Sequence, residues 1–160
     1  MTVNKRKVIQ VILIVLIALN VAFIFSQSML PPAKSTEVSD TVGDIVEEII
    51  PPETSVGGFV QNNVRKLAHF FEFFTLGVLV ATYVAVFLPK LKWVLHTLPV
   101  GFIVAVLDET IQIFSDRGPS VRDVWIDFSG FLCASIAFYL LYALTVLVIR
   151  KRNLKRGTNG

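Results

Sequence analysis

The sequence predicts an all-α integral membrane protein with four transmembrane helices, both termini cytoplasmic, and a short amphipathic helix on the outer surface. Three observations carry this expectation. The 160-residue chain is 54% hydrophobic and only 17% charged, whereas soluble domains carry about 25% charged residues. Four apolar runs, at roughly 8–25, 67–88, 94–114 and 124–149, each approach the ~20 residues a helix needs to cross hydrocarbon. Their continuity favours helices, which satisfy their own backbone in lipid.

The first run follows Lys5-Arg6-Lys7. It exceeds the 7–15 apolar residues of a signal peptide, and no Ala-x-Ala site follows. Its exit reads Ser26-Gln27-Ser28, so a retained helix is expected. The loop over 27–66 opens on Pro31-Pro32, and Val38, Val42, Ile45, Val46, Ile49 and Ile50 then recur at helical spacing. Pro51-Pro52 ends that pattern. A short amphipathic helix is expected here, lying on the outer surface or capping the spanning helices. Gly57-Gly58 reads as a flexible joint.

In the third run, His96 near Lys92 and Trp93 reads as an interfacial anchor and Pro99 as a kink. Ser120 is placed to cap the fourth helix. Trp125 belongs at an interface, and Cys133 reads as a small packing residue. Residues 1–150 form a single membrane domain, and 151–160 a polar, mobile cytoplasmic tail.

Orientation follows from Lys and Arg placement. With the N-terminus inside, Lys5, Arg6, Lys7, Lys90, Lys92, Arg150, Lys151, Arg152, Lys155 and Arg156 lie inside. Lys34, Arg65, Lys66, Arg117 and Arg122 lie outside, and all twelve acids fall on the outer side or in the outer part of a helix. One cysteine excludes an intrachain disulfide. The aromatics fall in apolar runs rather than among basic clusters, which argues against nucleic acid as a partner. The lipid bilayer is the expected surrounding.

Three polar clusters interrupt the apolar runs. Arg65, His69 and Glu72 are spaced i, i+4, i+7, with Lys66 beside them. Asp108 and Gln112 are i, i+4, bordered by Glu109, and their face continues as Gly101 and Ala105. Asp123 and Asp127 are i, i+4, continued by Gly130 and Ala134. Small residues at this spacing allow close helix packing in lipid. With alternating helix directions, all three clusters converge in the outer leaflet. An acid at a helix centre costs roughly 2.5–3.5 kcal/mol on insertion scales. These groups are therefore expected to face one another or a wet cleft. They form either a functional site or a structural ion-pair network.

Several chemistries fit such a cleft. His69 titrates near neutrality and suits acid–base work, oriented by Glu72 or Asp108. Arg65, Lys66, Arg117 and Arg122 suit a phosphate or carboxylate group. One clustered histidine and no clustered cysteine make a zinc site thin, and neither a metal nor a cofactor is expected. Nothing ionisable continues the path to the inner side, so ion transport is disfavoured.

The ordered set Arg65-Lys66-x-x-His69-Phe70-x-Glu72, Asp108-Glu109-x-x-Gln112-x-Phe114, Arg117, and Arg122-Asp123-Val124-x-Ile126-Asp127-x-x-Gly130 resembles the VanZ-like membrane proteins. The likeness runs roughly from Asn63 to Tyr142. It implies a bacterial cell-membrane protein of a family whose founding member is linked to teicoplanin resistance. Carried over, it implies functional roles for Lys66, His69, Glu72, Asp108, Glu109, Gln112, Arg117, Asp123 and Asp127. Ile111 stands where many relatives have histidine, which weakens a two-histidine metal site.

The resulting expectation is an outer cleft that binds or modifies an anionic envelope component such as a lipid-linked wall precursor. His69, Glu72 and Asp108 carry any chemistry, and Arg65, Lys66, Glu109, Gln112, Arg117, Arg122, Asp123 and Asp127 hold the ligand. The rival expectation is a non-catalytic scaffold whose charges form a folding network and whose acidic loop binds a partner.

Overall fold

A computed structural model of the chain describes residues 3–88, 91–115 and 118–157. Five helices follow one another: α1 (Val3–Ser28), α2 (Pro32–Ile49), α3 (Ser55–Phe87), α4 (Leu91–Ile113) and α5 (Val121–Gly157). Among the described residues there is no strand. The all-α expectation is met. Three helical segments, Asn4–Ser28, Ser55–Phe87 and Val121–Leu154, are long and apolar enough to cross a membrane. The expected span on α4 is not among them. That helix carries Pro99 in its interior and Asp108 and Glu109 near its end.

The surface is inverted relative to a soluble bundle. Large apolar side chains along α1 and α5, such as Ile12, Leu19, Ile136, Leu140 and Leu147, are exposed, while Asp108, Glu109, Gln112 and Asp127 are buried. In water this arrangement would place an extensive apolar surface in solvent and several carboxylates in the core, both unfavourable. In lipid both are accommodated.

The core forms where α3 packs on α5, its most extensive partner. Phe73 and Leu76 of α3 meet Phe131 of α5, Val104 and Ala105 of α4, and Ile24 of α1. Small residues set the spacing. A Cβ on Gly130 would collide with the Phe70 carbonyl, and one on Gly77 would meet the Ala134 Cβ at 2.8 Å. The expected seam of Gly101, Ala105, Gly130 and Ala134 is buried as anticipated. Gly77 is a further member.

Three elements differ from expectation. Gly57-Gly58 is not a flexible joint; it lies in the first turns of α3, which begins at Ser55. Thr54 caps that helix by accepting the Gly57 N–H at 2.9 Å, and this cap extends α3 well before the apolar run. The polar residues from Asn153 continue α5 through Gly157 rather than forming a mobile tail over the described part. At ~1.5 Å per residue, this helix is much longer than the ~30 Å hydrocarbon core. Cys133 is exposed, not packed inside.

The amphipathic helix is present as α2, opened by proline where a missing N–H costs nothing. It turns small residues toward the bundle. Ser35 and Gly43 are its buried positions, and the Gly43 carbonyl accepts from Gln61 of α3 at 3.2 Å. Its apolar positions remain open, with Ile45 56% and Ile49 76% exposed.

Candidate functional site

The site is built from one end of four helices. Asp108, on the penultimate turn of α4, is fully buried. Its Oδ1 accepts from Ser28 Oγ at 2.7 Å, and its Oδ2 accepts from Gln112 Nε2 at 3.3 Å. Gln112 is a hub. Its Nε2 also donates to Glu109 Oε1 at 2.7 Å, and its Oε1 accepts from Arg65 Nη2 at 3.2 Å. The backbone N–H of Ser120 donates to Glu109 Oε2 at 2.8 Å. A buried amide that used only some of its groups would leave costly unsatisfied atoms; Gln112 uses both its oxygen and its nitrogen.

His69 faces this network from α3. Its Nδ1 lies 3.6 Å from Glu72 Oε2 and 4.0 Å from Asp108 Oδ2. These separations exceed hydrogen-bond length, so both carboxyl groups stand beside the ring without bonding to Nδ1. Asp127, two turns into α5, is 2% exposed, and its Oδ2 is buried without a hydrogen-bond partner. A ring nitrogen of His69 and oxygens of Asp108 and Asp127 all lie within 4.8 Å of one another.

A cleft of about 360 Å³ opens above this floor. Arg65, Lys66, His69, Glu109, Gln112, Asp123 and Asp127 line it together with the polar face of α2. A second hollow of about 210 Å³ lies between α1, α2 and α3, with Phe23, Val38, Val42 and Ala68 on its walls. Arg65 and His69 border both.

The three sequence clusters therefore meet, through the helix directions anticipated for them. Arg65, Lys66, His69, Glu72, Asp108, Glu109, Gln112, Asp123 and Asp127 all fall at or beside the cleft. Arg122 does not line either hollow and is exposed. Arg117 lies outside the described residues.

This ordered set across three helices is the arrangement that the sequence match covers. Residues 6–143 match VanZ/LLP1. The chain belongs to the VanZ/LLP1 family. The match runs from α1 into α5 as far as residue 143, so the described cleft residues all lie within it. No curated protein and no solved structure matches the chain.

Several residues at the cleft lie outside the set the sequence points to. Ser28 ties α1 to Asp108, and Ser115 Oγ donates to the Ser28 carbonyl at 2.8 Å. Asp40 and Asp44 of α2 also line the cleft. The available signal for Ser28 was its position as a hydroxyl at the same end of the bundle as Asp108. The α2 acids gave no such signal, because their approach depends on how α2 docks. Ser120 does cap α5, accepting the Asp123 N–H at 3.3 Å.

Proposed function

We propose that this VanZ/LLP1 chain is a four-span protein of the bacterial cell membrane, with both termini cytoplasmic and its cleft open to the extracytoplasmic side. There it binds or modifies an anionic envelope lipid, such as a lipid-linked wall precursor, and so alters susceptibility to glycopeptides such as teicoplanin. The supporting observation is that a polar cleft and an apolar-walled hollow meet at Arg65 and His69. An amphiphilic anion needs such a junction, with a cation for its head and apolar walls for its chain.

Arg65 and Lys66 hold the anionic head by charge-assisted hydrogen bonds. His69 moves a proton at the head group, oriented by Glu72 and Asp108. Ser28 and Gln112 fix Asp108, so the ring has a preset surrounding. Exposed Phe102, Ile103, Val106 and Leu107 give α4 an apolar outer face suited to lipid, consistent with a fourth span.

The test replaces His69 by Gln and, separately, Glu72 by Gln in cells that depend on the protein for a measurable change in teicoplanin susceptibility. Normal protein abundance with the susceptibility change abolished is the expected result. Wild-type susceptibility at normal abundance in both variants contradicts a role for these side chains.

A second reading rests on the hydrogen-bonded chain Ser28–Asp108–Gln112–Glu109–Ser120. This network joins α1, α4 and the approach to α5 and would serve a non-catalytic scaffold equally well. In that case the same substitutions lower protein abundance and susceptibility together.

A further inference from the structure

We propose that the floor of the cleft is a binding site for a divalent transition cation of the zinc or manganese type, held by His69, Asp108 and Asp127. The inference goes beyond the envelope-lipid reading and does not need it, because the metal test uses no lipid ligand; with the cation bound, His69 is a ligand rather than the proton-moving group of that reading.

Geometry is the first argument. Ligand atoms around a zinc ion sit ~2.0–2.2 Å from the metal, so pairs of ligands are separated by roughly 3–4.3 Å. The three ligand atoms here lie within 4.8 Å of one another, and the His69–Asp108 approach is 4.0 Å. A small inward movement of side chains completes the set. Glu72 Oε2 lies 3.6 Å from His69 Nδ1, beside the three-residue set rather than within it.

The second argument is independent of spacing. Asp127 is buried, and its Oδ2 has no hydrogen-bond partner. A buried carboxyl group needs a proton, a hydrogen-bond donor or a metal ion as its partner. A dication beside Asp127 and Asp108 supplies the missing partner.

The third is the surrounding shell. Ser28 and Gln112 bind Asp108 from two sides and fix its orientation, as outer partners do for metal-ligating carboxylates. One imidazole with carboxylate oxygens suits zinc or manganese better than calcium or magnesium, which favour all-oxygen sets. The sequence alone argued against a metal because only one histidine was in reach. The burial of Asp127 changes that balance.

The cleft above the site carries Asp40, Asp44, Glu109, Asp123 and Asp127 against Arg65 and Lys66. A bound dication would offset part of this negative charge and present a positive centre to an incoming anion.

The experiment uses the full chain purified in detergent, stripped with a chelator and re-equilibrated separately with Mn2+ or Zn2+. After desalting, bound metal is measured by mass spectrometry, with Mn2+ also followed by electron paramagnetic resonance. The wild type should retain close to one equivalent of at least one of the two metals. Asp127→Asn and His69→Ala should each weaken retention at least ten-fold, and Glu53→Gln, in the exposed α2–α3 connection away from the cleft, should retain it. Gel-filtration profiles identify any variant that fails to fold, and the remaining one then carries the comparison. Retention of neither metal by the wild type overturns the proposal. So does wild-type retention by a folded Asp127→Asn or His69→Ala protein, or equal loss in Glu53→Gln.

Discussion

Ser28 Oγ donates to Asp108 Oδ1 at 2.7 Å across a separation of 80 residues. The last turn of α1 is thereby fastened to the most deeply buried acid of α4. Both groups are fully buried, so neither finds a replacement partner in water. Replacing Ser28 by Ala should lower stability by about 1.5–3 kcal/mol, the range for hydrogen bonds to charged groups. Thermal unfolding of the purified protein in detergent measures this. A change below about 0.5 kcal/mol, the size of an ordinary surface substitution, would show that this hydrogen bond does not fasten α1 to α4.

Gln112 carries more of the network than any other side chain in it. It joins Asp108, Glu109 and Arg65. Gln112→Leu keeps the approximate size and removes every polar contact. Three hydrogen bonds to ionisable partners are lost, each worth about 1.5–3 kcal/mol, so a loss of more than about 3 kcal/mol is expected. Comparing its unfolding midpoint with that of Ser28→Ala and the double variant gives the coupling between them. Simple additivity would place the two residues in separate networks, since members of one network couple by roughly 0.5–3 kcal/mol.

The α3–α5 crossing depends on the absence of a side chain at Gly130. Gly130→Val introduces atoms into the space of the Phe70 carbonyl. Backbone cannot yield as a flexible side chain can, so a loss of about 1–3 kcal/mol or more is expected. Its effect should appear as reduced abundance and a lower unfolding midpoint. An unchanged midpoint would mean that the two helices cross farther apart than described.

The outer surface of α2 makes a separate prediction. Ile45 and Ile49 are open on a helix whose small residues face the bundle. A helix of this kind buries its apolar side in the boundary between head groups and acyl chains. Tryptophan at Ile45 should therefore be quenched by brominated lipids in reconstituted membranes. Quenching no stronger than that of tryptophan at Glu53, in the α2–α3 connection, would place α2 in water.

Much of this architecture was legible because lipid simplifies the pattern. Apolar runs and cation placement locate the helices, and i, i+4 spacing puts Asp108 with Gln112 and Asp123 with Asp127 on common faces. Helix direction then brings the clusters to one end. The boundaries were less legible, because caps rather than hydropathy set them. Thr54 starts α3 well before the apolar stretch, and α5 continues through polar residues to Gly157. Within the site, Ser28 and the α2 acids escaped notice because their roles come from tertiary contact. Arg122 sits at the same end of the bundle as the cluster, but it lines neither hollow and stays exposed. Proximity in sequence to Asp123 was not enough to place it.

The central claim is that the cleft recognises an anionic lipid through the cations at its mouth. The most direct measurement is the binding of a polyprenyl pyrophosphate to the full chain in nanodiscs, compared with the matching uncharged polyprenol. The account predicts saturable binding of the pyrophosphate and at least ten-fold weaker binding by Lys66→Ala, since a lost charge-assisted contact of about 1.4 kcal/mol is worth a factor of ten. Equal binding of the charged and uncharged lipids, or equal affinity of wild type and Lys66→Ala, would contradict it.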